Sequence, residues 1–116
     1  MTITLYGIPN CDTVKKARQW LDKNDVEYRF HNFRKDGLDA KQLKRWLDTL
    51  GWETVLNRKG TTWRQLPEDV RKNTNASNVT KLLLEHPTLI KRPVLDQGDQ
   101  VRCGFNAAEY QAALHP

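Results

Sequence analysis

A strand pattern, a helix pattern and a second strand pattern follow one another at the start of the chain, and this succession restricts the topology more than any other feature. Ile3 to Tyr6 is apolar and rich in strand formers, and Gly7, Pro9 and Asn10 break it. From Asp12 the apolar residues Val14, Ala17, Trp20 and Leu21 recur at helical intervals, which predicts an amphipathic helix ending near Asn24. Val26 to Phe33 alternates apolar with polar residues and predicts a second strand. Strand, helix and strand within about thirty residues is the size of a βαβ unit, whose right-handed crossover makes the two strands parallel.

The rest of the chain divides into a helical stretch and a compact β-rich end. Leu43, Trp46, Leu47 and Leu50 form a helical stripe that Asp39 is placed to cap and Gly51 to end. Between residues 53 and 75 the elements are short, with Pro67 and the acids after it predicting a helix start and Thr61, Thr62 and Trp63 a connection. Val79, Leu82 and Leu83 predict a helix that Pro87 stops. Leu89-Ile90 and Val94-Leu95 flank Lys91-Arg92-Pro93, and Asp96 to Asp99 leads into Gln100 to Cys103, a hairpin pattern. A last helix is expected over Ala107 to Leu114. Without its middle, this is the order of a thioredoxin-like core with a mixed sheet and helices on its faces, an α/β fold. The 116 residues suit a single domain, with the core at about 1–35 and 88–116 and a helical insertion at about 36–87 between the βαβ and ββα halves.

Hydrophobic residues at 38% and four tryptophans give enough apolar surface for a folded core. The N-terminus lacks the basic start and apolar core of a secretory signal, and no apolar run is long enough to span a bilayer, so a cytoplasmic location and no membrane partner are expected. A formal charge of +5 invites a nucleic-acid partner, but the lysines and arginines are scattered among acids and are better explained as solvated faces. An anionic small molecule suits the charge equally well. Trp20 and Trp46 sit on apolar stripes, which favours core packing over base stacking by Trp20, Trp46, Trp52 and Trp63. His31, His86 and His115 show no metal-ligand spacing, so no metal is expected. Asn75-Ala76-Ser77 and Asn78-Val79-Thr80 fit turn and cap chemistry better than glycosylation.

Cys11, in GIPNCDTVKK, opens the first helix after a loop of Gly, Pro and Asn. A thiol of ordinary acidity is only about 3% thiolate at neutral pH, and the thiolate is the nucleophile. A helix N-terminus contributes about 0.3–1 kcal/mol toward the charged form. A cation at about 4 Å contributes roughly 4 kcal/mol at an effective dielectric of about 20, so an arginine is the partner to seek. Arg92 is that candidate. It precedes Pro93, whose ring can fix a tight and even cis turn, and in a thioredoxin-like sheet this turn faces the first helix. Asn10 is placed to cap that helix, Thr13 to donate to a bound anion, and Lys15 to attract anions at longer range. Val14 stands where a Cys-x-x-Cys switch has its second thiol, so an external thiol has to resolve any Cys11 adduct. Glutathione fits, because its carboxylates suit a basic pocket and its thiol suits the resolving step. Cys103, beside Gly104, is either a structural residue or an internal resolving partner.

The segments LYGIPNCDTVKKARQWL, RFHNFRKDGLD, LGWETVLNRKGTTWRQL and HPTLIKRPVL, with Gly104-Phe105, resemble the ArsC-like proteins essentially end to end. This family includes arsenate reductases, the Spx regulators and the YffB subgroup of thiol reductases, and the similarity is closest to YffB. The resemblance implies a thioredoxin-like core with a helical insertion, a nucleophilic Cys11, and a basic anion pocket with Arg92 before a cis Pro93. Where arsenate reductases set three arginines around the nucleophile, this chain matches Arg92, has Lys59 at the central position with Arg58 beside it, and has Gly104 at the third. Lysine is a point charge without the bidentate fork of arginine and holds a tetrahedral oxyanion less well. The resemblance thus implies a thiol-disulfide oxidoreductase with no bound cofactor, glutathione or another small thiol as co-substrate, and a disulfide or an oxyanion as substrate. Its alternatives are an Spx-like regulator that binds RNA polymerase and an arsenate reductase with a weakened oxyanion pocket.

Overall fold

A computed structural model describes residues 2–114. Its sheet has four strands: β1 (Thr4–Gly7), β2 (Arg29–Asn32), β3 (Val94–Asp96) and β4 (Val101–Cys103). They lie in the order β2-β1-β3-β4, with β1 and β2 parallel and the other two pairs antiparallel, the mixed sheet of a thioredoxin-like fold. α1 (Asp12–Lys23) makes the crossover from β1 to β2, and α8 (Ala107–Leu114) follows β4. Both helices bury residues against one face of the sheet, where Ala17, Leu21 and Tyr110 join Leu5 and Leu95, all at 0% exposure. Leu5 and Leu95 are cross-strand partners, and each fully buried side chain of this size contributes about 1.5–3 kcal/mol. Trp20 and Phe105 meet Tyr110 edge-on, with ring centroids 5.7 and 4.9 Å away. Trp20 thus packs against the core, as its stripe predicts.

The expected second strand runs from Val26 to Phe33, but β2 is shorter at both ends. The Asn32 side chain accepts from the Arg34 amide at 2.9 Å, which turns Phe33 into the first residue of a one-turn helix, α2 (Phe33–Asp36). Before the strand, Val26 is tied back to Leu21 by its amide, a helix-end hydrogen bond that keeps it off the ladder.

The chain clusters into two compact units, one formed by residues up to Gly37 with those from Arg92 onward, the other by Leu38–Lys91. The second unit holds α3 (Ala40–Leu50), α4 (Trp52–Val55), α5 (Thr61–Gln65), α6 (Glu68–Asn73), α7 (Val79–Glu85) and a 3-10 turn over Pro87–Leu89. Asp39 caps α3 as expected, its side chain accepting from the Lys41 amide at 2.9 Å, and Gly51 ends the helix at φ 87°. Leu43 and Trp46 of its stripe are fully buried. Thr61, Thr62 and Trp63, expected in a connection, are helical. A 2.9 Å hydrogen bond between the Thr62 and Thr88 hydroxyls and the half-buried Trp63 supply tertiary support that two β-branched residues lack locally. Asn75 organises its turn by accepting from the Ser77 and Asn78 amides, whereas Asn78 heads α7 without a side-chain cap.

Candidate active site

The register of the first unit decides what meets at the end of the sheet. Tyr6 pairs with Val94, and Val94 pairs with Cys103. The loop carrying Cys11 therefore leaves β1 at the same sheet end where Arg92-Pro93 enters β3 and where β4 runs out at Cys103. Neighbouring strands are about 4.8 Å apart, so the three segments start from adjacent positions.

Cys11 is the N-cap of α1, with extended backbone (φ −92°, ψ 126°), and its carbonyl accepts from the Lys15 amide at 2.9 Å. It is half-buried, and its side chain makes no capping hydrogen bond. First-turn amides without such a cap offer donors to an anion or to a thiolate. Asn10, expected to cap α1, lies one position too early and is exposed, because the Cys11 amide bonds to the Ile8 carbonyl and closes the turn one residue later. Thr13 and Lys15 are exposed on the first turn of α1.

Arg92 is half-buried and its bond to Pro93 is cis. Pro93 itself is buried, and its carbonyl accepts from the Gly104 amide at 2.8 Å. Gly104 has φ 83°, a left-handed conformation that favours glycine, and it fastens the end of β4 to the proline turn. Cys103 is half-buried beside it, and no disulfide joins it to Cys11.

Arg58 and Lys59 belong to the second unit and are exposed. The segment before them pairs with residues 89–91: the Asn57 amide donates to the Leu89 carbonyl and the Lys91 amide to the Val55 carbonyl, both at 2.7 Å. Arg58 lies over the Trp52 ring at 5.0 Å, and the Lys59 backbone is held by the Asn57 side chain and by Arg64.

Gly7 is a site-shaping residue that the sequence pattern shows only as a strand breaker. It is buried as the last residue of β1, and a Cβ there would stand 2.8 Å from Cγ2 of Val14. The close approach of α1 to β1, which positions Cys11, depends on that missing methyl. The signal was available in the pairing of a glycine before the loop with a β-branched residue one helical turn after the cysteine. On the opposite sheet face from Leu5, Tyr6 and His31 sit 4.8 Å apart ring to ring, and His31 Nε2 is 2.7 Å from the Gly37 carbonyl. His115 lies outside the described residues. Among the described residues no group of three or more His, Cys, Asp or Glu could hold a metal ion, and no helix is long and apolar enough to cross a membrane.

Known proteins match this chain over nearly its whole length. The model of the ArsC family matches residues 6–113. A Haemophilus influenzae protein of uncharacterized function is 46% identical over 112 residues, which cover 97% of this chain and 98% of that one. The solved structure of a YffB protein superposes with a TM-score of 0.94 at 47% identity, covering 97% of this chain and 99% of that one. The global transcriptional regulator Spx of Streptococcus agalactiae is 31% identical over 114 residues, 97% of this chain and 82% of the regulator.

Proposed function

Because this chain belongs to the ArsC family, we propose that it is a thiol-disulfide oxidoreductase working as a glutathione-dependent monothiol reductase. The observation that carries the reading is Cys11 at the uncapped N-terminus of α1, at the sheet end where Arg92 and cis Pro93 enter β3. In the cycle, the Cys11 thiolate attacks a disulfide R–S–S–R′, forms a Cys11–S–S–R mixed disulfide and releases R′–S⁻, which takes a proton. Glutathione thiolate then attacks the substrate sulfur of that mixed disulfide, regenerates the Cys11 thiolate and leaves R as its disulfide with glutathione. Where R is itself glutathione, the product is oxidised glutathione: the sulfur carried on Cys11 stays at the disulfide level throughout, and the free glutathione is oxidised as R′ is reduced to its thiol. Val14 at the position of a second thiol favours this external resolution.

Arg92 serves as the cation that stabilises the thiolate and the anionic groups of the substrate. The donors of Asn10, Thr13 and Lys15 lie along the same loop and first turn, and Pro93 fixes the direction from which Arg92 enters. Arg58 and Lys59, on the second unit, are proposed as anion-binding residues whose positive charge suits carboxylates or an oxyanion. A lysine in place of a guanidinium fork weakens recognition of a tetrahedral oxyanion, so a small disulfide is favoured over arsenate as substrate. A reducing cytoplasm, with its glutathione pool, suits this cycle.

Reduction of a glutathione mixed disulfide, coupled to glutathione reductase and NADPH consumption, tests the reading. Cys11→Ser is expected to fall to the uncatalysed rate while Cys103→Ser keeps its turnover; full turnover in Cys11→Ser refutes the mechanism. The 31% identity to Spx favours a second reading, a regulator that binds RNA polymerase. Retention of polymerase subunits in a pull-down, equally by wild type and Cys11→Ser, combined with no turnover by wild type, would put that reading first.

A further inference from the structure

The second unit contains a cavity of about 540 Å³ that the thiol chemistry leaves unused. Its volume lies within the range of about 300–1,000 Å³ typical of small-molecule sites. One face of α3 forms the long wall, since Ala40, Lys44, Leu47 and Gly51 are spaced by four, three and four residues. Trp52 at the start of α4 and Val79 at the start of α7 complete its apolar part.

Polarity changes from one end of this wall to the other. Lys41 and Lys44 line the cavity beside the beginning of α3, both exposed and three positions apart on one helix face. Among the described residues neither ammonium is in an ion pair. Asp39, the nearest acid in sequence, has one carboxylate oxygen on the Lys41 amide. Further along, Leu47 and the Trp52 ring give an apolar surface. Asp48, one turn beyond Lys44, repels an anion from the apolar end and so sets the direction in which a ligand lies.

We infer that this groove binds an amphipathic organic anion, a carboxylate with an aliphatic or aryl body. Its carboxylate lies between Lys41 and Lys44, and its body covers Leu47 and the Trp52 ring. Two unpaired cations supply charge complementarity for a single anionic head, while the apolar remainder of the wall has no use for an inorganic ion. The site uses none of the residues assigned to thiol exchange.

Titration of the ¹⁵N-labelled full chain with sodium octanoate, and in parallel with 1-octanol, tests this by amide chemical shifts. Octanoate is expected to saturate shifts at Lys44, Leu47, Gly51, Trp52 and Val79. Lys41→Ala/Lys44→Ala should weaken its binding about 3- to 30-fold, from two surface ion pairs, and Lys41→Arg/Lys44→Arg should restore it. Cys11→Ser is expected to bind octanoate as the wild type does, so failure of the thiol mechanism and failure of this site read out separately. Octanol binding as well as octanoate would overturn the proposal, as would no saturable shifts at these amides. A dimer abolished by the double alanine variant in the absence of octanoate binding would assign the groove to a second copy of the chain and overturn it as well.

Discussion

Replacing Gly7 with alanine tests the packing that seats Cys11. The added methyl would stand 2.8 Å from Val14 Cγ2 and 3.5 Å from Cγ1. Val14 is at 0% exposure on α1, where a β-branched side chain has essentially one rotamer, so it cannot turn away. Gly7 does not have a positive φ, so the cost is steric and not conformational. Overpacking of this kind costs about 1–3 kcal/mol, and the stiffer unfolded chain returns about 0.4–1 kcal/mol, leaving a net loss centred on about 1.3 kcal/mol. With a urea slope of about 2 kcal/mol/M, the midpoint followed by tryptophan fluorescence falls by roughly 0.5–1 M at unchanged slope. Val14→Ala alone loses two methyl groups and leaves a cavity, about 2–3 kcal/mol. The decisive arm is the double variant. With Val14 truncated the clash is gone, and Gly7→Ala becomes neutral or slightly stabilising. If Gly7→Ala costs as much in the Val14→Ala background as in the wild type, within about 0.5 kcal/mol, the two sites are independent and the steric account is refuted.

Other perturbations probe single contacts. Asp39→Ala removes the side-chain acceptor for the Lys41 amide at the head of α3 and is expected to cost about 1 kcal/mol, measured by thermal unfolding; Asp39→Asn should retain most of the stability. Burial pushes the Tyr110 phenol above its ordinary value near 10, with Cys103 and Glu109 adding to the shift and Arg102 opposing it. Its folded-state value is raised, so its contribution to stability is complete below about pH 10 and is lost as the pH climbs beyond that. Tyr110→Phe is expected to flatten the alkaline limb of the stability profile, at a cost near neutrality of about 0.5–1.5 kcal/mol for the 3.2 Å hydrogen bond to the Gly104 carbonyl. An unchanged alkaline limb in that variant would show that another group governs it.

Where side-chain periodicity and local capping agree, the sequence is a good guide to this fold. Val14, Ala17 and Leu21 announce α1 because all three are buried and recur at helical spacing, and Asp39 and Gly51 bracket α3 because each satisfies a local backbone requirement. Phe33 misleads, since its apolar side chain continues the strand alternation while the backbone obeys the Asn32 cap. Thr61 to Trp63 misleads in the other direction, because the partner that supports the helix is Thr88, far along the chain. The candidate site divides in the same way. Cys11 after Pro9 and Asn10 is legible as a helix start from its neighbours alone. The setting of Arg58 and Lys59 is not, because it follows from the pairing of residues 55–57 with 89–91 and from the ring of Trp52. Gly7 shows its meaning only when α1 is laid against β1.

The joint between β1 and β3 brings together segments that are made far apart in time. A ribosome delivers Cys11 well before Arg92, which waits until the whole of residues 38–91 has been synthesised. Closing so long a loop costs entropy, and a bridging unit that is already compact shortens the effective span. The nascent chain therefore carries an exposed thiol well before it carries the cation assigned to it. In the proposed cycle, whatever reactivity Arg92 confers is withheld until β3 docks, so a chain that has not completed its sheet lacks that cation beside its thiol.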